Sequence, residues 1–416
     1  MRIAVWHNLA SGGAKRALYA QVKGLTRRGH SVVAWCPSSA DTGFLPLSSI
    51  VEERVVPFAW KDASSTGRFD NLMYPLRSMQ LQLAAMARNC EICAAQIAAE
   101  GFDLLFASPC LFFRAPPIGA MLGRMPRVLY LQEPFRRLYE ALPVLPWLGS
   151  PLPAAQSFRG AGIRRALRDW IRMQGLRLQA NTERANAENF DKILVNSLYS
   201  RESVLRAYGL DAELCYLGIS SDVFRPTGVQ RERFVIGVGS ITFEKGIDIA
   251  IRAIAAIPEA TRPPLTWIAN LVSQPYCDEM QSLASSLRVA FTIRTRLPDG
   301  EVVALLNKAA VMLYTSRLEP FGLAPLEANA CGTPVVAVAE GGIRETIRHM
   351  HNGLLVQSRD AAALGRATLL LLDDPGLAQR LGTRGRHDVD EQWGWDAAVD
   401  RLEAHLQAVA GASHGS

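Results

Sequence analysis

The chain has 416 residues, of which 49% are apolar and 20% are charged, and its formal net charge is +6. This length is too great for one compact core and predicts two domains of roughly 200 residues each. The composition is typical of a globular protein and excludes an intrinsically disordered chain. No apolar run approaches the ~20 residues that a membrane-spanning helix needs.

The opening run from Met1 to Trp6 is short and apolar, and it passes directly into Ser11-Gly12-Gly13. This pattern predicts a first buried strand and not a signal peptide, so we expect a cytoplasmic protein.

The seven cysteines are odd in number, which favours reduced thiols. Cys90 and Cys93 form a C-x-x-C within a continuous apolar helix pattern, and without a second pair at zinc spacing they are interpreted as buried helix residues.

Short apolar runs alternate with helix-length amphipathic segments in both halves, a pattern typical of parallel sheets flanked by helices. The predicted strands of the first half are RIAVWH, SVVAWCP, FDLLFAS, RVLYLQ and KILVNS. Those of the second half are FVIGVGS, LTWIAN, AFTIRTRL, VMLYTS, PVVAVA and GLLVQ. The fold class predicted is α/β, with two doubly wound domains joined through the turn-rich segment 216–233.

Residues 142–162 are rich in Pro and Gly and predict a loop, and six arginines follow between Arg159 and Leu178 with apolar residues between them. Such a basic amphipathic segment is either an ordinary surface helix or a binding surface for anionic lipid or a phosphate-bearing acceptor. Nucleic acid is not expected as a partner, because no aromatic-interleaved basic motif or known binding module accompanies the arginines.

The first candidate ligand loop is Ser11-Gly12-Gly13-Ala14, between the first strand and a helix that begins near Lys15. Glycines allow a close approach to a ligand, and a helix N-terminus attracts phosphate. The loop does not complete G-x-G-x-x-G, and Trp35-Cys36-Pro37 stands where a ribose-binding acid is expected. A nicotinamide-dependent dehydrogenase is therefore disfavoured.

The second candidate loop holds Lys245, in Phe243-Glu244-Lys245-Gly246 after the strand that ends at Val238-Gly239-Ser240. A lysine at the carboxyl edge of a parallel sheet either neutralises a diphosphate there or is an ordinary surface residue.

The strongest pattern runs from Tyr314 to Ala328 and carries Glu319 in a turn and Glu327 in the following helix. The amides of Phe321, Gly322 and Leu323 are expected at the positive end of that helix, where they would meet a phosphate or a sugar oxygen. The helix rise separates the two carboxylates too far for a glycosidase pair, so they predict two separate contacts with one ligand. The alternative is a turn acid and a surface helix residue.

Over nearly its whole length the chain resembles the retaining glycosyltransferases of family 4, in group 1, which have two Rossmann-like domains in the GT-B arrangement. Glu319 to Glu327 is similar to that family's E-x7-E element. The continuation of that element and other family elements follow in the expected order, namely Ala330 to Ala337, Glu340-Gly341-Gly342, Gly12-Gly13, Asn196-Ser197, the segment from Leu217-Gly218-Ile219 to Phe224-Arg225-Pro226, and Glu244-Lys245-Gly246.

The resemblance implies an acceptor-binding domain over residues 1–224 and a donor-binding domain over 233–395, with a C-terminal helix at about 396–411 that packs back on the first. It implies a hexosyltransferase of polysaccharide or glycoconjugate biosynthesis, whose donor, a UDP- or GDP-sugar, binds in the cleft between the domains. Glu327 would bind the ribose and Glu319 the donor sugar. Lys245 and the amides of Gly13, Gly322 and Leu323 would hold the diphosphate.

We expect retention of the anomeric configuration by front-face displacement, and no metal or other cofactor, because lysine and helix dipoles neutralise the diphosphate. Asp388-Val389-Asp390 is interpreted as a chance D-x-D in a C-terminal helix. The acceptor is a saccharide, a lipid-linked sugar or a small molecule, and the segment 142–178 is the candidate for peripheral contact with the inner face of the membrane.

The chain departs from the family pattern at two positions. Ser240 stands where many members have a phosphate-binding arginine, for which Arg136, Arg137 or Arg317 would substitute. Gln132 stands where the family's usual histidine is expected, and it donates a hydrogen bond without changing charge near neutral pH. These departures keep open the alternative of a nucleotide-sugar-binding subunit without turnover. A second enzymatic alternative is a nucleotide-sugar epimerase or phosphorylase on the same two-domain plan.

Overall fold

The computed structural model describes residues 1–60, 68–148 and 161–412, with side chains described outside 68–72 and 161–165. The chain divides into two compact units. The first comprises Met1–Val195, Arg201–Leu214 and Leu402–Ser416, and the second comprises Asn196–Ser200 and Cys215–Arg401. None of the helices in the described ranges has both the length and the apolar character that crossing a bilayer requires.

The first sheet has seven parallel strands within the described residues, in the order β3-β2-β1-β4-β5-β6-β7. Its strands are β1 Arg2–Asn8, β2 Ser31–Pro37, β3 Glu52–Val56, β4 Leu104–Cys110, β5 Arg127–Gln132, β6 Lys192–Val195 and β7 Glu213–Leu214. The α-helices of this part of the chain are α1 Gly13–Arg27, α2 Arg68–Ala98, α3 Arg136–Tyr139, α4 Ala161–Ala187 and α5 Leu198–Tyr208.

The second sheet has six parallel strands within the described residues, in the order β10-β9-β8-β11-β12-β13. Its strands are β8 Glu232–Val238, β9 Leu265–Ala269, β10 Phe291–Thr295, β11 Ala309–Tyr314, β12 Val335–Val338 and β13 Gly353–Val356. The α-helices that follow in this part of the chain are α6 Ile247–Ala255, α7 Gln274–Ser286, α8 Asp299–Lys308, α9 Leu323–Ala330, α10 Ile343–Thr346, α11 Ala361–Asp373, α12 Pro375–Gln392 and α13 Trp395–Ala412.

The predicted fold class is confirmed, because both units are parallel sheets with crossover helices. In each sheet the strand order reverses beside the first strand, at β1/β4 and at β8/β11. Ligands of open α/β sheets bind outside the carboxyl ends of the strands at such a reversal. The loops after β1, β8 and β11 are the loops that carry Gly12-Gly13, Lys245 and Glu319.

The apolar runs of the sequence correspond to the inner strands, which are buried on both faces; β4, for example, is buried at all seven positions. Two strands were missed. β3 and β7 lie at the two edges of the first sheet, and neither forms an apolar run, since β3 reads EERVV and β7 has only two residues. Edge strands need apolar side chains on fewer positions, so periodicity does not reveal them.

The unit limits differ from the predicted domains of 1–224 and 233–395, because residues 196–200 and 215–224 group with the second unit. The C-terminal residues from Leu402 onward group with the first unit. There the Glu403 carboxylate of α13 accepts hydrogen bonds from Arg28 at 3.1 Å and from His30 at 2.8 Å. His405 pairs with Glu213 of β7 at 3.2 Å.

A single arginine ties together the loops at the amino edge of the second sheet. Arg231, directly before β8, donates to the carbonyl oxygens of Leu306, Asn307, Ala309 and Cys331 and to the Thr333 hydroxyl, at distances of 2.8 to 3.3 Å. These acceptors lie at the end of α8, the start of β11 and the turn before β12. Without the guanidinium, several partly buried carbonyls would lose their donor.

We predict that Arg231→Ala lowers the free energy of unfolding of the second unit by roughly 3 kcal/mol, because the carbonyls that it leaves are desolvated without a partner. Urea unfolding followed by tryptophan fluorescence measures the change. Arg366→Ala is the control, since that side chain is 73% exposed and 4.0 Å from its ion-pair partner, and its effect should stay below about 0.5 kcal/mol. Equal effects of the two variants would contradict the structural role of Arg231.

Candidate active site

The loop after β8 is shaped by a tryptophan that crosses the end of the strand. A Cβ at Gly237 would lie 2.3 Å from the Trp267 ring, so glycine leaves the space that the indole occupies. The indole N–H donates to the Gly239 carbonyl at 2.8 Å. Ser240 follows, half-buried, and its carbonyl accepts from the Thr242 amide at 2.9 Å. The chain is thus directed into the 3-10 turn Phe243–Lys245.

The Lys245 turn is fixed against the end of β11. Thr315 donates its hydroxyl to the carbonyls of Gly246 at 2.8 Å and Lys245 at 3.1 Å. Gly246 has φ 65°, and a Cβ there would lie 2.4 Å from the Thr315 carbonyl oxygen. Both the left-handed conformation and this close approach require glycine. The Glu244-Lys245-Gly246 element therefore places the lysine side chain at the β8/β11 reversal.

Lys245, Ser316 and Glu319 form one polar network at this edge. The Lys245 ammonium lies 2.8 Å from Glu319 Oε2 and 3.5 Å from Ser316 Oγ. The Ser316 hydroxyl donates to the same carboxylate oxygen at 2.7 Å. The side chains are partly accessible, 24% for Lys245 and 14% for Glu319. Of the three N–H donors of the ammonium, two are directed at these partners, and the third has no partner among the residues that the structure describes, so it is available to a ligand.

The network fixes the ionisation of Glu319. Burial alone would raise its pKa, but the Lys245 charge and hydrogen bond, with the Ser316 hydroxyl, outweigh burial and lower the pKa to about 2. The carboxylate is therefore ionised at neutral pH. A carboxylate with so low a pKa is a poor proton acceptor, so it suits hydrogen bonding to a ligand better than general base catalysis.

Two glycines allow another segment to lie directly against the Glu319 turn. The Gly342 amide donates to the Glu319 carbonyl at 2.7 Å. A Cβ at Gly341 would lie 2.3 Å from the Glu319 carbonyl oxygen, and a Cβ at Gly342 would lie 2.1 Å from that of Pro320. The spacing of Glu340-Gly341-Gly342 is thus explained by backbone packing, which holds the turn without any side chain between.

Helix α9 begins directly after this turn, with Gly322 as its N-cap at φ 96°. Its first amides, which include that of Leu323, have no carbonyl partner within the helix, and the helix dipole makes this end positive. Glu327 lies in the second turn and is 8% exposed, so the alternative of a surface helix residue is wrong. Each feature of the predicted donor element therefore lies within the second unit, although the two carboxylates lie on different local elements.

Aromatic packing, which the sequence pattern did not indicate, anchors the start of α9. The Phe321 ring is buried, with its centroid 6.2 Å from that of Tyr216 and 5.6 Å from that of Trp393. The Tyr216 hydroxyl donates to Glu345 at 2.8 Å, and burial followed by this bond raises the pKa of Tyr216 to about 12. This packing fixes the position of the Phe321 backbone amide, which is the group predicted to contact the ligand.

In the first unit the predicted residues lie at carboxyl ends of strands. Gly12 and Gly13 connect β1 to α1, and the Gly12 carbonyl accepts from the Arg16 amide at 3.0 Å. Gln132 ends β5 with φ 64°, a left-handed conformation that is uncommon for a non-glycine residue and is concentrated at functional sites. Their roles toward a ligand stay predictions.

A buried charged cluster lies near the glycine loop, and its one indication in the sequence is a lysine in the first turn of α1. The Glu53 carboxylate lies 3.0 Å from His7 Nε2 and 3.7 Å from the Lys15 ammonium. Burial would raise the pKa of Glu53, but the His7 hydrogen bond and the Lys15 charge hold it below its usual range, and burial lowers the pKa of Lys15.

Cys36 completes a set of potential metal ligands with His7 and Glu53, whose ligand atoms lie within 4.8 Å of one another. The arrangement does not fit a metal ion, because the Lys15 ammonium already supplies a positive charge beside the carboxylate. Burial also raises the pKa of the Cys36 thiol to about 12, so the thiol stays protonated beside the ion pair. We interpret the cluster as a buried ion pair that supports the loop after β1.

Asp388 of the D-x-D lies in α12, as predicted, and has structural partners. It accepts from Arg348 at 2.7 Å and from Asn352 at 2.9 Å. Arg348 and Asn352 lie in the segment that leads into β13, so Asp388 connects α12 to that segment. Its carboxylate is therefore committed to side chains of the protein.

The arginines considered as substitutes for the cation missing at Ser240 differ in position. Arg136 pairs with Glu140 at 2.7 Å and Glu133 at 3.6 Å in the first unit. Arg317 follows β11 and lies 4.0 Å from Glu340. The structure adds Arg359, which the sequence analysis missed, with Nη2 3.0 Å from the position that a Cβ of Gly246 would take. The sequence feature that could have indicated Arg359 is its position shortly after β13, at the same edge of the sheet.

A family model described as glycosyl transferases group 1 matches residues 221–388, which include Lys245, Glu319 and Glu327. A mannosyltransferase from Mycolicibacterium smegmatis, named as acting on phosphatidylinositol monomannoside with GDP-mannose, is 31% identical over 325 residues. That alignment covers 70% of this chain and 84% of the relative. The chain belongs to the group 1 glycosyl transferases.

Other relatives align over a smaller share of this chain. A D-inositol 3-phosphate glycosyltransferase of Streptomyces bingchenggensis is 31% identical over 245 residues, covering 53% of this chain and 54% of the relative. The chain thus spans about half the length of the inositol-phosphate relatives that it matches. An α-maltose-1-phosphate synthase of Mycolicibacterium smegmatis is 31% identical over 278 residues, with 59% and 71% covered.

Solved structures confirm the fold of this group 1 member. HepE of Anabaena, in complex with UDP and glucose, superposes with a TM-score of 0.69 at 18% identity and covers 98% of this chain and 100% of its own. A sucrose-phosphate synthase of Thermosynechococcus elongatus gives 0.71 at 19% identity, with 99% and 100% covered. At these identities the likeness shows the GT-B fold alone.

We predict a coupling of about 1–2 kcal/mol between Lys245 and Glu319 in a double-mutant cycle of Lys245→Met and Glu319→Gln at pH 7. Folding lowers the pKa of Glu319 to about 2. Its contribution to the free energy of unfolding is therefore complete above pH 4.5, near its pKa in the unfolded chain, and is lost as the pH falls from there toward 2. Free energies of unfolding in urea between pH 2 and 8 measure both the coupling and its loss at low pH.

The exposed pair Lys308–Glu232, 3.2 Å apart on side chains about half exposed, is the matched control, and its coupling should be under about 0.5 kcal/mol. A Lys245–Glu319 coupling no larger than that of the control would show that the two charges do not interact as the geometry indicates.

Proposed function

We propose that the protein transfers a sugar from a nucleotide-diphosphate sugar to an acceptor hydroxyl, with retention of the anomeric configuration. The observation that carries the proposal is the network of Lys245, Ser316 and Glu319 at the β8/β11 reversal, next to the positive end of α9. A cation, a hydroxyl and an ionised carboxylate at one sheet edge supply complementary groups for a diphosphate and for sugar hydroxyls.

In the proposed mode of binding, Lys245 donates its remaining N–H to the diphosphate, and the first amides of α9 donate hydrogen bonds to the same diphosphate. Glu319 accepts a hydrogen bond from a hydroxyl of the donor sugar, for which its low pKa keeps it ionised. Glu327 binds the ribose hydroxyls. These groups remove the need for a bound metal ion, because the positive charges are already arranged where the leaving phosphate develops its charge.

In the proposed reaction, the bond between the anomeric carbon and the phosphate oxygen breaks, and its electron pair stays on the phosphate. The acceptor oxygen forms the new bond on the same face of the sugar and passes its proton to that phosphate oxygen. Glu319 is not assigned as nucleophile or base, since Lys245 and Ser316 stabilise its charge and weaken its attack.

The names of the relatives support the classes of substrate that we propose. One relative is named for GDP-mannose, and a neighbouring structure holds UDP-glucose, so UDP- and GDP-sugars are the first donors to test. Two relatives are named for inositol phosphate or phosphatidylinositol monomannoside. A polyol or saccharide hydroxyl near a phosphate group is accordingly the acceptor class that we propose.

We predict transfer in the presence of EDTA, with kcat lowered about a hundredfold or more in Lys245→Met, because a positive charge on the leaving diphosphate would be missing in the transition state. Lys308→Met removes an exposed lysine of the same unit and should leave kcat unchanged. Radiolabelled UDP- and GDP-sugars with a panel of saccharide, polyol phosphate and lipid-linked acceptors provide the assay. Retained activity in Lys245→Met would remove the assigned role of the network.

The stereochemical prediction is that the product keeps the anomeric configuration of the donor, as judged from the coupling constant of its anomeric proton in an NMR spectrum of the first product formed. An inverted product would overturn the front-face mechanism. Donor binding without transfer to any acceptor would instead favour a binding subunit, and conversion of the donor sugar without acceptor would favour an epimerase.

A further inference from the structure

One region of the first unit exposes large apolar side chains to an unusual extent. Among the described residues, the three most exposed large apolar side chains are Leu148 at 67%, Val144 at 64% and Trp170 at 60%. Leu167, three residues before Trp170 on α4, is 42% exposed. Single exposed apolar residues are ordinary, but the concentration of the three highest values within 27 residues, from 144 to 170, is not.

Packing of α4 explains which of its faces stays open. Ile171 and Gln179 are buried, and Gly175 between them lies against the backbone of Pro75 on α2. This stripe at intervals of four residues is the side by which the helix docks. Leu167 and Trp170 do not belong to it, and their spacing of three places them next to each other on the helix surface.

The same helix carries exposed positive charge without acidic partners. Arg168, Arg172 and Arg177 are exposed, and none forms a salt bridge with another residue that the structure describes. From Arg159 to Leu178 the sequence holds six arginines and one acid, Asp169, so this segment contributes +5 of the net charge of +6. Near the C-terminal end of α4, by contrast, Arg184 pairs with Glu188, which lies just past the helix, at 3.0 Å.

We propose that Val144, Leu148, Leu167 and Trp170, with Arg168 and Arg172, form a surface that binds anionic lipid bilayers from the aqueous side. Tryptophan and leucine enter the boundary between headgroups and acyl chains, while arginines contact lipid phosphates. The charge of the segment selects an anionic partner, and the apolar side chains distinguish a bilayer from nucleic acid, whose phosphate backbone offers no comparable apolar volume.

The proposal does not depend on the reaction, so its test is a binding measurement on the whole chain. We predict that the protein floats with phosphatidylcholine vesicles that contain phosphatidylglycerol, at low salt, and does not float with phosphatidylcholine alone. Arg168→Gln with Arg172→Gln should weaken binding roughly thirtyfold, since each arginine near an anionic surface contributes about fivefold. Trp170→Ala should weaken it by about tenfold.

Two matched variants serve as controls and should bind like the wild type. Arg184→Gln removes a paired arginine from the same helix, and Leu205→Ala truncates a 54% exposed leucine on α5. Thermal unfolding midpoints close to the wild-type value show that each variant is folded. Failure of the wild type to float with anionic vesicles, or equal flotation of the four variants, would overturn the proposal. Loss of self-association in Trp170→Ala, with no vesicle binding by the wild type, would assign the surface to a second copy of the chain instead.

Discussion

The ion pair between Lys245 and Glu319 is the constraint around which the second unit is arranged. The two residues follow strands β8 and β11, which are neighbours only because the strand order reverses between them. Several nearby contacts hold the two residues together. Gly246 leaves space for the Thr315 carbonyl, and Gly341 and Gly342 leave space for the Glu319 turn. Ser316 forms hydrogen bonds with both charged side chains. Backbone contacts fix the pair more than side-chain packing does, so small changes of residue size in these loops would displace it.

The electrostatics of the network favour binding and orientation over proton transfer. A general base near neutral pH needs a pKa close to the working pH, whereas Glu319 is held at about 2. The network is instead suited to recognising an anion together with hydroxyl groups, and the positive end of α9 adds to the same field. In the proposed reaction the acceptor proton therefore passes to the departing phosphate, and the carboxylates serve as ligand contacts.

The sequence predicted the fold class and the inner strands, because a strand buried on both faces appears as an apolar run. It missed β3 and β7, since edge strands with charged or very few residues have no such run. At the site, Lys245, Glu319, Gly322 and Glu327 were predictable because their order and spacing follow strand ends and a helix start. The contributions of Ser316, Thr315, Trp267 and Arg359 were not, since each depends on a contact between residues far apart in the chain. Burial of Glu327 likewise depends on packing of α9 that a single helix pattern does not contain.

We propose that the second unit binds the nucleotide part of a sugar donor through Lys245, the α9 N-terminus and Glu327. Calorimetric titration of UDP, GDP and ADP into the wild type and into Glu327→Ala, with EDTA present, measures this binding. We expect one nucleotide to bind in preference to the other two, and the variant to bind that nucleotide more weakly. Absence of binding by all three nucleotides, or equal affinity in the variant, would contradict it.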